Sequence, residues 1–313
     1  MAGIFATAPG KVILFGEHAV VYGHPAIAVP VSQVRAKALI MPIPENKPDE
    51  VYIEAPDIHL NSHLNQLPFK NPLRIVIEEV QNALRLSYLP PMKIRITSTI
   101  PVAAGLGSGA AVSVALARAL SNFLGHPLPD ETLCAIAFRA EHSYHGTPSG
   151  IDNTVITYNQ PIFFQKEKPY QLLNVEKPFR ILIGNTGIAS PTGEVVAEVR
   201  RNREQNPEKY NSIFENISRI VYQAREFIEK GNVNELGPLL TENHKLLQEM
   251  GVSCHELDRL VETAIHTGAL GAKLSGGGKG GNMIALATPE RIPEITQALR
   301  DAGATLVIAT EIR

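Results

Sequence analysis

Cysteine is scarce in this chain of 313 residues, which contains only Cys134 and Cys254. The two lie far apart in the sequence, and neither belongs to a Cys-x-x-Cys pair. Disulfide-dependent folds and thiolate zinc sites need several cysteines at close spacing. The scarcity therefore argues against both, and it favours a reducing compartment, so we expect a cytoplasmic protein.

An excess of charge of one sign is also missing. The 29 lysines and arginines nearly balance the 31 aspartates and glutamates, so the formal net charge is -2. Proteins dedicated to nucleic acids usually present a strongly basic face, so this balance argues against that class, although a local basic patch stays open. Hydrophobic residues make up 44% and charged residues 19%, which is typical of a globular protein rather than a disordered one.

Hydrophobic runs with the character of a membrane span are absent too. Residues 1–8 are too short and uncharged for a secretory leader. The longest weakly polar stretch, 100–120, has the length of a span, but it contains Pro101, Arg118 and several glycines and serines. We expect a loop that leads into a buried helix, and no membrane association. The sequence leaves the oligomeric state open, a homodimer included.

Strand and helix patterns alternate along the chain. Short segments rich in branched residues dominate the first third, and apolar positions at helical spacing dominate the second half. The predicted strands are 11–15, 26–31, 33–41, 92–99, 153–157, 161–165, 180–184, 269–274, 282–287 and 304–309. The predicted helices are 73–86, 108–124, 130–145, 192–205, 210–230, 233–249, 255–267 and 290–302.

The length predicts two domains, because a domain usually contains roughly 100–200 residues. We expect a strand-rich N-terminal domain at 1–180 and a helix-rich C-terminal domain at 181–313. The C-terminal part ends in the order strand, strand, helix, strand. This order predicts an α+β fold with helices on one face of an antiparallel sheet.

Four stretches carry residues of the kind used in catalysis, and the first is PGKVILFGEHAVVYG at 9–23. Lys11, Glu17 and His18 are polar residues in an otherwise apolar segment. Because a charge buried without a partner is strongly unfavourable, such residues usually line a cleft or pair with one another. The alternative is an ordinary strand with an exposed lysine and a Glu-His turn.

The second stretch, PVAAGLGSGAA at 101–111, precedes a predicted helix. Small residues let backbone N–H groups approach an anion, and a helix N-terminus adds unpaired N–H groups and its dipole. The pattern predicts a phosphate-binding loop at Gly105, Gly107, Ser108 and Gly109. An ordinary glycine loop is one alternative. A dinucleotide fingerprint, G-x-G-x-x-A, is another, but a second helix rather than a parallel strand is predicted to follow.

The third stretch, EHSYHGTPSGIDN at 141–153, places Glu141 and Asp152 on either side of a helix end and a turn. Two such carboxylates can converge on a divalent cation and a substrate hydroxyl, because oxygen ligands suit Mg²⁺ and a carboxylate can accept a hydroxyl proton. Asp152 as a turn-capping residue is the alternative. A zinc pair at His142 and His145 lacks an evident third ligand.

The fourth stretch, KLSGGGKGGN at 273–282, lies between two predicted strands. It contains G-x-G-x-x-G, but a strand follows instead of a helix, and Lys279 precedes a glycine instead of Ser or Thr. Neither the dinucleotide fingerprint nor the Walker A motif therefore fits. So many glycines lose much conformational entropy on folding, which close packing or ligand approach would explain. We predict a functional loop.

Taken in this order, the four stretches resemble the GHMP kinase superfamily. The N-terminal P-x-K segment, the P-x-x-x-G-L-G-S loop and the C-terminal glycine loop extend from Pro9 to Asn282, nearly the whole chain. Within the superfamily, GEHAVVYG at 16–23 and HGTPSGIDN at 145–153 are similar to the mevalonate kinases. The resemblance implies a two-domain, GHMP-kinase-like α+β fold. It also implies ATP-dependent phosphorylation of the C5 hydroxyl of mevalonate, in isoprenoid biosynthesis.

The resemblance further implies roles for individual residues. Asp152 would be the catalytic base, Lys11 would lie near the reacting hydroxyl and the transferred phosphoryl group, and Glu141 and Ser108 would bind Mg²⁺. His18 would face the mevalonate carboxylate. The implied ATP-binding residues are Pro101, Ala104, Gly105, Leu106, Gly107, Ser108, Gly109 and Ala110. The implied substrate-binding residues are Glu17, His18, Thr192, Gly277 and Gly278.

Three departures from the family pattern bear on these roles. Gly109 stands where a second serine usually supplies a metal ligand, so either Ser108 or water takes that place, or the metal depends more on Glu141 and the phosphates. The segment after Thr186 reads Gly-Ile-Ala-Ser, where the family often has a basic residue. Lys279 interrupts a loop that is commonly all glycine, and it either holds phosphate or points to solvent.

Three other functions stay open at this stage. A kinase of another small hydroxy acid or sugar would keep the same machinery. A dinucleotide-dependent oxidoreductase would use the glycines at 105–110 and would need a parallel βαβ start. A ligand-binding member of the kinase family with weak catalysis is motivated by Gly109, although Asp152, Lys11 and Glu141 argue against it.

Overall fold

The computed structural model describes residues 3–44, 47–101, 104–145, 149–190 and 192–313. Its strands are β1 (Ile4–Phe15), β2 (Pro25–Pro42), β3 (Val51–Ala55), β4 (Leu60–His63), β5 (Met92–Ser98), β6 (Ile162–Gln165), β7 (Gln171–Leu172), β8 (Phe179–Asn185), β9 (Gly271–Ser275), β10 (Asn282–Ala287) and β11 (Leu306–Ile312). Its α-helices are α1 (Pro72–Ala83), α2 (Ser108–Phe123), α3 (Asp130–His145), α4 (Ile151–Tyr158), α5 (Thr192–Gln205), α6 (Pro207–Glu229), α7 (Leu236–Met250), α8 (His255–His266) and α9 (Ile292–Asp301).

The chain forms two compact units, and each contains several separate segments of the sequence. Unit 1 consists of Met1–Gly10, Val34–Pro101 and Gly107–Asn159. Unit 2 consists of Lys11–Gln33, Val102–Leu106 and Gln160–Arg313. The strands β1 and β2 each contribute residues to both units.

In unit 1, the strands follow the order β4-β3-β5-β2. β3 runs parallel to β5, and β5 runs antiparallel to the C-terminal half of β2, with Ala36 opposite Ser98. α1 begins at Pro72, which needs no partner for its nitrogen. The side chain of Asn71 caps this helix by accepting a hydrogen bond from the N–H of Leu73 at 2.9 Å.

The helices α2, α3 and α4 of unit 1 pack on one another, and α1 packs on α2 and α3. α2 is rich in alanine, valine and leucine, and ten of its 16 residues are buried. The buried helix expected after the glycine loop is therefore confirmed. Because the first N–H groups of a helix have no partner within the helix, the start of α2 at Ser108 presents free backbone donors.

In unit 2, four antiparallel strands form a sheet in the order β11-β8-β10-β9. The helices α7 and α8 pack against β9, and α9 packs against β11. α7 approaches β9 so closely that a Cβ atom on Gly271 would lie 1.9 Å from the carbonyl oxygen of Gly237. Only glycine permits this contact. The antiparallel sheet expected at the C-terminal end is confirmed, and the N-terminal half of β2 pairs with β6 in the same unit.

The structure corrects two predictions of secondary structure. The predicted strand 153–157 is wrong, because these residues belong to α4. Gly150 and Asn159 flank this helix in left-handed conformations, with φ of +88° and +51°. Burial against α2 and α3 outweighs the strand preference of its branched residues. The predicted strands 26–31 and 33–41 form one continuous strand, β2, and β3, β4 and β7 were not predicted.

The polar interruption inside β2 has a structural counterpart. Ser32 and Gln33 are exposed, and the strand passes from unit 2 to unit 1 directly after Gln33. The expected domain boundary between 180 and 181 remains a prediction, because the compact units do not divide the chain at a single point. Within the described ranges, every helix is too short or too polar to cross a membrane.

Candidate active site

Unit 1 holds the two carboxylates that the sequence singles out. Asp152 is the second residue of α4, and Glu141 lies near the C-terminal end of α3. Both residues are half-buried, and the two helices that carry them pack on each other. Both helices also pack on α2, which begins at the glycine loop. The other residues of this motif, Gly146, Thr147 and Pro148, lie outside the described residues.

The glycine loop reaches α2 through two residues in the left-handed conformation, Gly105 at φ +73° and Gly107 at φ +74°. Gly107 is the N-cap of α2, and Ser108 begins the helix. A Cβ atom on Gly109 would have no atom within 4 Å. The start of α2 therefore combines unpaired N–H groups, a positive dipole end and open space, which together suit an anion.

The residues implied as Mg²⁺ ligands fit a hard cation in their chemistry. Glu141 and Ser108 both offer oxygen, and both are half-buried on helices of unit 1 that pack together. Mg²⁺ commonly takes one or two protein oxygens and keeps several waters. Among the described side chains, there is no group of three or more His, Cys, Asp or Glu that could hold a metal ion. The side chain of His145 is not among them, and His142 is exposed.

Residues 104–106, the first half of the glycine loop, belong to unit 2. The N–H of Lys11 donates a hydrogen bond to the carbonyl oxygen of Leu106 at 2.9 Å. The side-chain amide of Asn282 donates to the carbonyl oxygen of Ala104, and the amide of Asn185 donates to that of Asn282 at 2.8 Å. These bonds attach the loop to β1 and to β10.

Unit 2 contains a buried ion pair between Lys273 and Glu17. Lys273 is fully buried in β9, and its ammonium group binds the carboxylate of Glu17 and the carbonyl oxygen of Leu274. Burial raises the pKa of Glu17 and lowers the pKa of Lys273, while the charge of each partner acts in the opposite direction. Two charges removed from water are tolerated only in close contact. The Glu17 carboxylate is thus engaged within the protein.

His18, the next residue, holds the C-terminal glycine loop. Its Nε2 lies 3.0 Å from the carbonyl oxygen of Gly277. Because a carbonyl only accepts, Nε2 carries the hydrogen and Nδ1 is left as an acceptor. Burial lowers the pKa of His18 to about 4, so the imidazole is neutral at pH 7. The structure therefore brings Glu17, His18, Lys273 and Gly277 together in unit 2.

The C-terminal glycine loop packs against the segment that leads into α5. Gly278 has φ +82°, and a Cβ atom there would lie 2.0 Å from the carbonyl oxygen of Val252. The hydroxyl of Ser190 donates to the carbonyl oxygen of Gly278 at 2.8 Å. A Cβ atom on Gly277 would lie 2.8 Å from the hydroxyl oxygen of Thr192, which is the exposed first residue of α5. Glycine is required here by packing within the protein.

Lys279 forms an ion pair that the sequence alone did not suggest. Its ammonium group pairs with Glu198 of α5, and its N–H donates to the carbonyl oxygen of Val252 at 2.8 Å. The two charged side chains are 35% and 40% exposed, so solvent weakens their attraction. The pair is a second link between the loop and α5.

Sequence reasoning missed three residues that organise this region: Lys273, Asn282 and Ser190. A lysine inside the apolar segment GAKLS is the one visible signal, because such a charge needs a buried partner. The hydrogen bonds of Asn282 and Ser190 join segments far apart in sequence, so no local sequence pattern predicts them.

Comparison with known proteins gives consistent results along the chain. The family described as GHMP kinases N terminal domain matches residues 71–160, and the family described as GHMP kinases C terminal matches residues 224–305. The mevalonate kinase of Pyrococcus furiosus is 38% identical, over 99% of this chain and 96% of that protein.

Two solved structures are similar over nearly their whole length. The crystal structure of L. major mevalonate kinase in complex with R-mevalonate has a TM-score of 0.83 and 31% identity, covering 100% of this chain and 96% of that one. The crystal structure of the Methanococcus jannaschii mevalonate kinase has a TM-score of 0.85 and 28% identity, covering 99% of this chain and 98% of that one.

Proposed function

Because the chain belongs to the GHMP kinase family, we propose that it uses ATP to phosphorylate the C5 hydroxyl of mevalonate. Full-length similarity to mevalonate kinases, one of them with mevalonate bound, supports this substrate over other small hydroxy acids and sugars. A dinucleotide-dependent oxidoreductase is not favoured, because α2 leads into α3 and not into a parallel strand.

One observation in the structure carries the proposal. The helix that starts at the glycine loop, the helix with Glu141 and the helix with Asp152 pack on one another within unit 1. Phosphoryl transfer needs little covalent chemistry from a protein, and depends on positioning the phosphates and the nucleophile and on stabilising charge. A packed trio of an anion-binding helix start and two carboxylates meets that need.

The residues of unit 1 act on the reacting groups. The unpaired N–H groups at the start of α2 hold the phosphates of ATP, with Ser108 and the glycines around it allowing close approach. The carboxylate of Asp152 accepts the proton of the C5 hydroxyl as the oxygen attacks the γ-phosphorus. Glu141 and Ser108 would hold Mg²⁺, which would neutralise part of the phosphate charge when bound.

The family resemblance assigns the remaining roles to residues of unit 2. The ammonium group of Lys11 offsets negative charge on the transferred phosphoryl group. Thr192, Gly277 and Gly278 contact mevalonate. They lie where the C-terminal glycine loop packs against the start of α5. Because the hydrogen of neutral His18 is on Nε2, its Nδ1 is an acceptor and cannot donate to a carboxylate. Binding of the mevalonate carboxylate there therefore requires His18 to take up a proton.

The experiment that tests the proposal measures ADP release with Mg-ATP against mevalonate, phosphomevalonate, homoserine and galactose, followed by NMR of the product. We expect turnover with mevalonate alone and phosphate at C5. The Asp152→Asn variant should lose activity by about three orders of magnitude or more while still binding ATP, because proton transfer and positioning are lost together.

The matched control is Asp301→Asn, which removes an exposed carboxylate at the end of α9 and should leave turnover unchanged. Turnover with another alcohol would overturn the substrate. Normal turnover by Asp152→Asn would overturn the assignment of the base. ATP binding without turnover of any of the four alcohols would support a ligand-binding protein instead.

A further inference from the structure

Asn153 directly follows the proposed base on α4, and its side chain is buried. The Nδ2 group donates to the carbonyl oxygen of Cys134 at 3.3 Å and to the Sγ atom of the same residue at 3.0 Å. Cys134 belongs to α3. The side chain of Asn153 thus joins the helix of the proposed base to the neighbouring helix.

Cys134, the partner of Asn153, lies on the same face of α3 as Glu141. Cys134 and Glu141 belong to the same helix and are seven residues apart, which is close to two full turns. Residues at this spacing lie on the same side of a helix. The contact from Asn153 therefore reaches the face of α3 that also carries the proposed metal ligand.

Thr154 reinforces the same junction. Its hydroxyl donates to the carbonyl oxygen of Gly150 at 2.7 Å, within the first turn of α4, and lies 3.7 Å from the Sγ atom of Cys134. Two consecutive residues of α4 therefore meet one residue of α3. Such a junction restricts both the rotation of α4 about its axis and its position along α3.

Asparagine is not the residue that packing alone would favour here. The Oδ1 atom of Asn153 is buried and accepts no hydrogen bond from the residues that the structure describes. A buried polar atom without a partner destabilises the folded state, and an apolar side chain of similar volume would avoid that penalty. The benefit of Asn153 must therefore come from the directed contacts of its Nδ2 group.

We propose that Asn153 is a positioning residue, which orients α4 on α3 and thereby sets the direction of the Asp152 carboxylate relative to Glu141. This inference rests on the proposed function, in which Asp152 is the base and Glu141 binds the metal. Catalysis is sensitive to such placement, because a shift of about 1 Å in a reacting group can reduce the rate about 100-fold.

The test replaces Asn153 by leucine, which keeps the number and branching of the side-chain heavy atoms and removes the donor, and separately by alanine. Steady-state kinetics should give a kcat that is about 10- to 100-fold lower, with KM for mevalonate and for ATP within about threefold of the wild type. The Mg²⁺ concentration for half-maximal rate should rise in the same variants, because Glu141 and Asp152 no longer keep their relative placement. If Asn153 had a purely structural role, the melting temperature would fall, but kcat and the Mg²⁺ requirement of the folded protein would not change.

Two further variants isolate the contact. Thr157→Val is the matched control, since Thr157 is a buried residue of α4 whose hydroxyl has no hydrogen-bond partner among the described residues; its kcat should not change. Cys134→Ala removes the Sγ contact and leaves the carbonyl contact, so it should have a smaller effect. Combined with Asn153→Leu, it should add less than it does alone, because both changes remove the contact between Nδ2 and Sγ.

The outcomes separate this inference from the proposed function. If Asp152→Asn keeps full activity, the assignment of the base fails and this inference fails with it, whereas absence of turnover with mevalonate overturns the proposed function itself. If Asp152→Asn is inactive while folded Asn153→Leu retains a kcat within about twofold of the wild type, only the positioning role is overturned. Should alanine prevent folding, the leucine variant gives the result, because it leaves no cavity.

Discussion

In unit 1 the candidate site residues stand at helix ends, half-buried, beside a glycine where a side chain would meet open space. In unit 2, Glu17 and His18 are buried, and their side chains contact Lys273 and the C-terminal glycine loop. The same kinds of side chain therefore serve different purposes. The Asp152 carboxylate is half-buried at the start of α4, whereas the Glu17 carboxylate is buried and pairs with Lys273.

This contrast distinguishes residues proposed to take part in the reaction from residues that stabilise the fold. Removing a half-buried acidic group in unit 1 should affect turnover more than folding. Removing a buried group in unit 2 should affect folding first, because its partner is left without compensation in a low-dielectric interior. Variants in the two units can therefore be ranked by their effect on the free energy of unfolding.

The largest effect on stability is expected from breaking the buried pair. Lys273→Met leaves the Glu17 carboxylate uncompensated, so the free energy of unfolding should fall by about 3–5 kcal/mol. The remaining carboxyl will be protonated in the folded state, so the loss should grow as the pH rises from about 5 to 8. Urea unfolding followed by circular dichroism at several pH values measures both effects.

The exposed pair in the same unit provides the control. Lys279→Met breaks the contact with Glu198, in which both side chains are about one-third exposed, and should change stability by less than about 1 kcal/mol. The double variant Glu17→Gln and Lys273→Met should recover part of the loss. Equal effects of Lys273→Met and Lys279→Met would contradict the distinction between a buried and an exposed pair.

A smaller effect per side chain, with the opposite pH dependence, is expected from each of two buried histidines of unit 2. Burial lowers the pKa of His18 and of His244 to about 4, from 6.5. The unfolded chain therefore binds protons between these values while the folded chain does not. Stability is fully present above pH 6.5 and declines as the pH falls towards 4, by about 3 kcal/mol for each group.

The measurement is the free energy of unfolding between pH 4 and 7, with His244→Gln expected to reduce the slope. His244 accepts a hydrogen bond from the N–H of Leu274 at 3.3 Å, and its Nε2 lies 3.2 Å from Asp258, so the variant should also be less stable at pH 7. His142→Gln, which changes an exposed side chain of α3, is the matched control. An unchanged slope in His244→Gln would remove this residue from the explanation.

The contrast between the units also explains how far the sequence alone could lead. The starts of α2, α3, α5 and α8 were predicted at the correct residue, because each begins at a change in pattern that is encoded locally. The candidate residues of unit 1 lie on or beside those helices, so their positions followed from local signals and from the family resemblance.

The organisation of unit 2 could not be predicted in the same way. The partner of Glu17 is 256 positions away, and the carbonyl group that His18 binds is 259 positions away. Such contacts depend on the assembled fold and not on spacing. The prediction for α4 was wrong for a related reason. Its branched residues favour a strand, and only packing on α2 and α3 selects the helix.

The smallest expected effect on stability comes from a change in unit 1, at Gly109. Gly109→Ser restores the serine that the family commonly has, and the new Cβ atom would meet no atom within 4 Å. Because serine is a better helix former than glycine in the first turn of α2, stability should rise by about 0.5 kcal/mol. In the interior of unit 2, a change of this size at Gly271 could not be accommodated at all.

The same variant tests whether the open space serves the metal. With the second hydroxyl present, the Mg²⁺ concentration for half-maximal rate should fall several-fold, because one more oxygen becomes available to a cation that otherwise relies on Glu141, Ser108 and water. Urea unfolding without Mg²⁺ gives the stability change separately from the activity. A gain in stability with no change in the Mg²⁺ requirement would mean that Gly109 affects only the helix, and that the metal does not approach this side of α2.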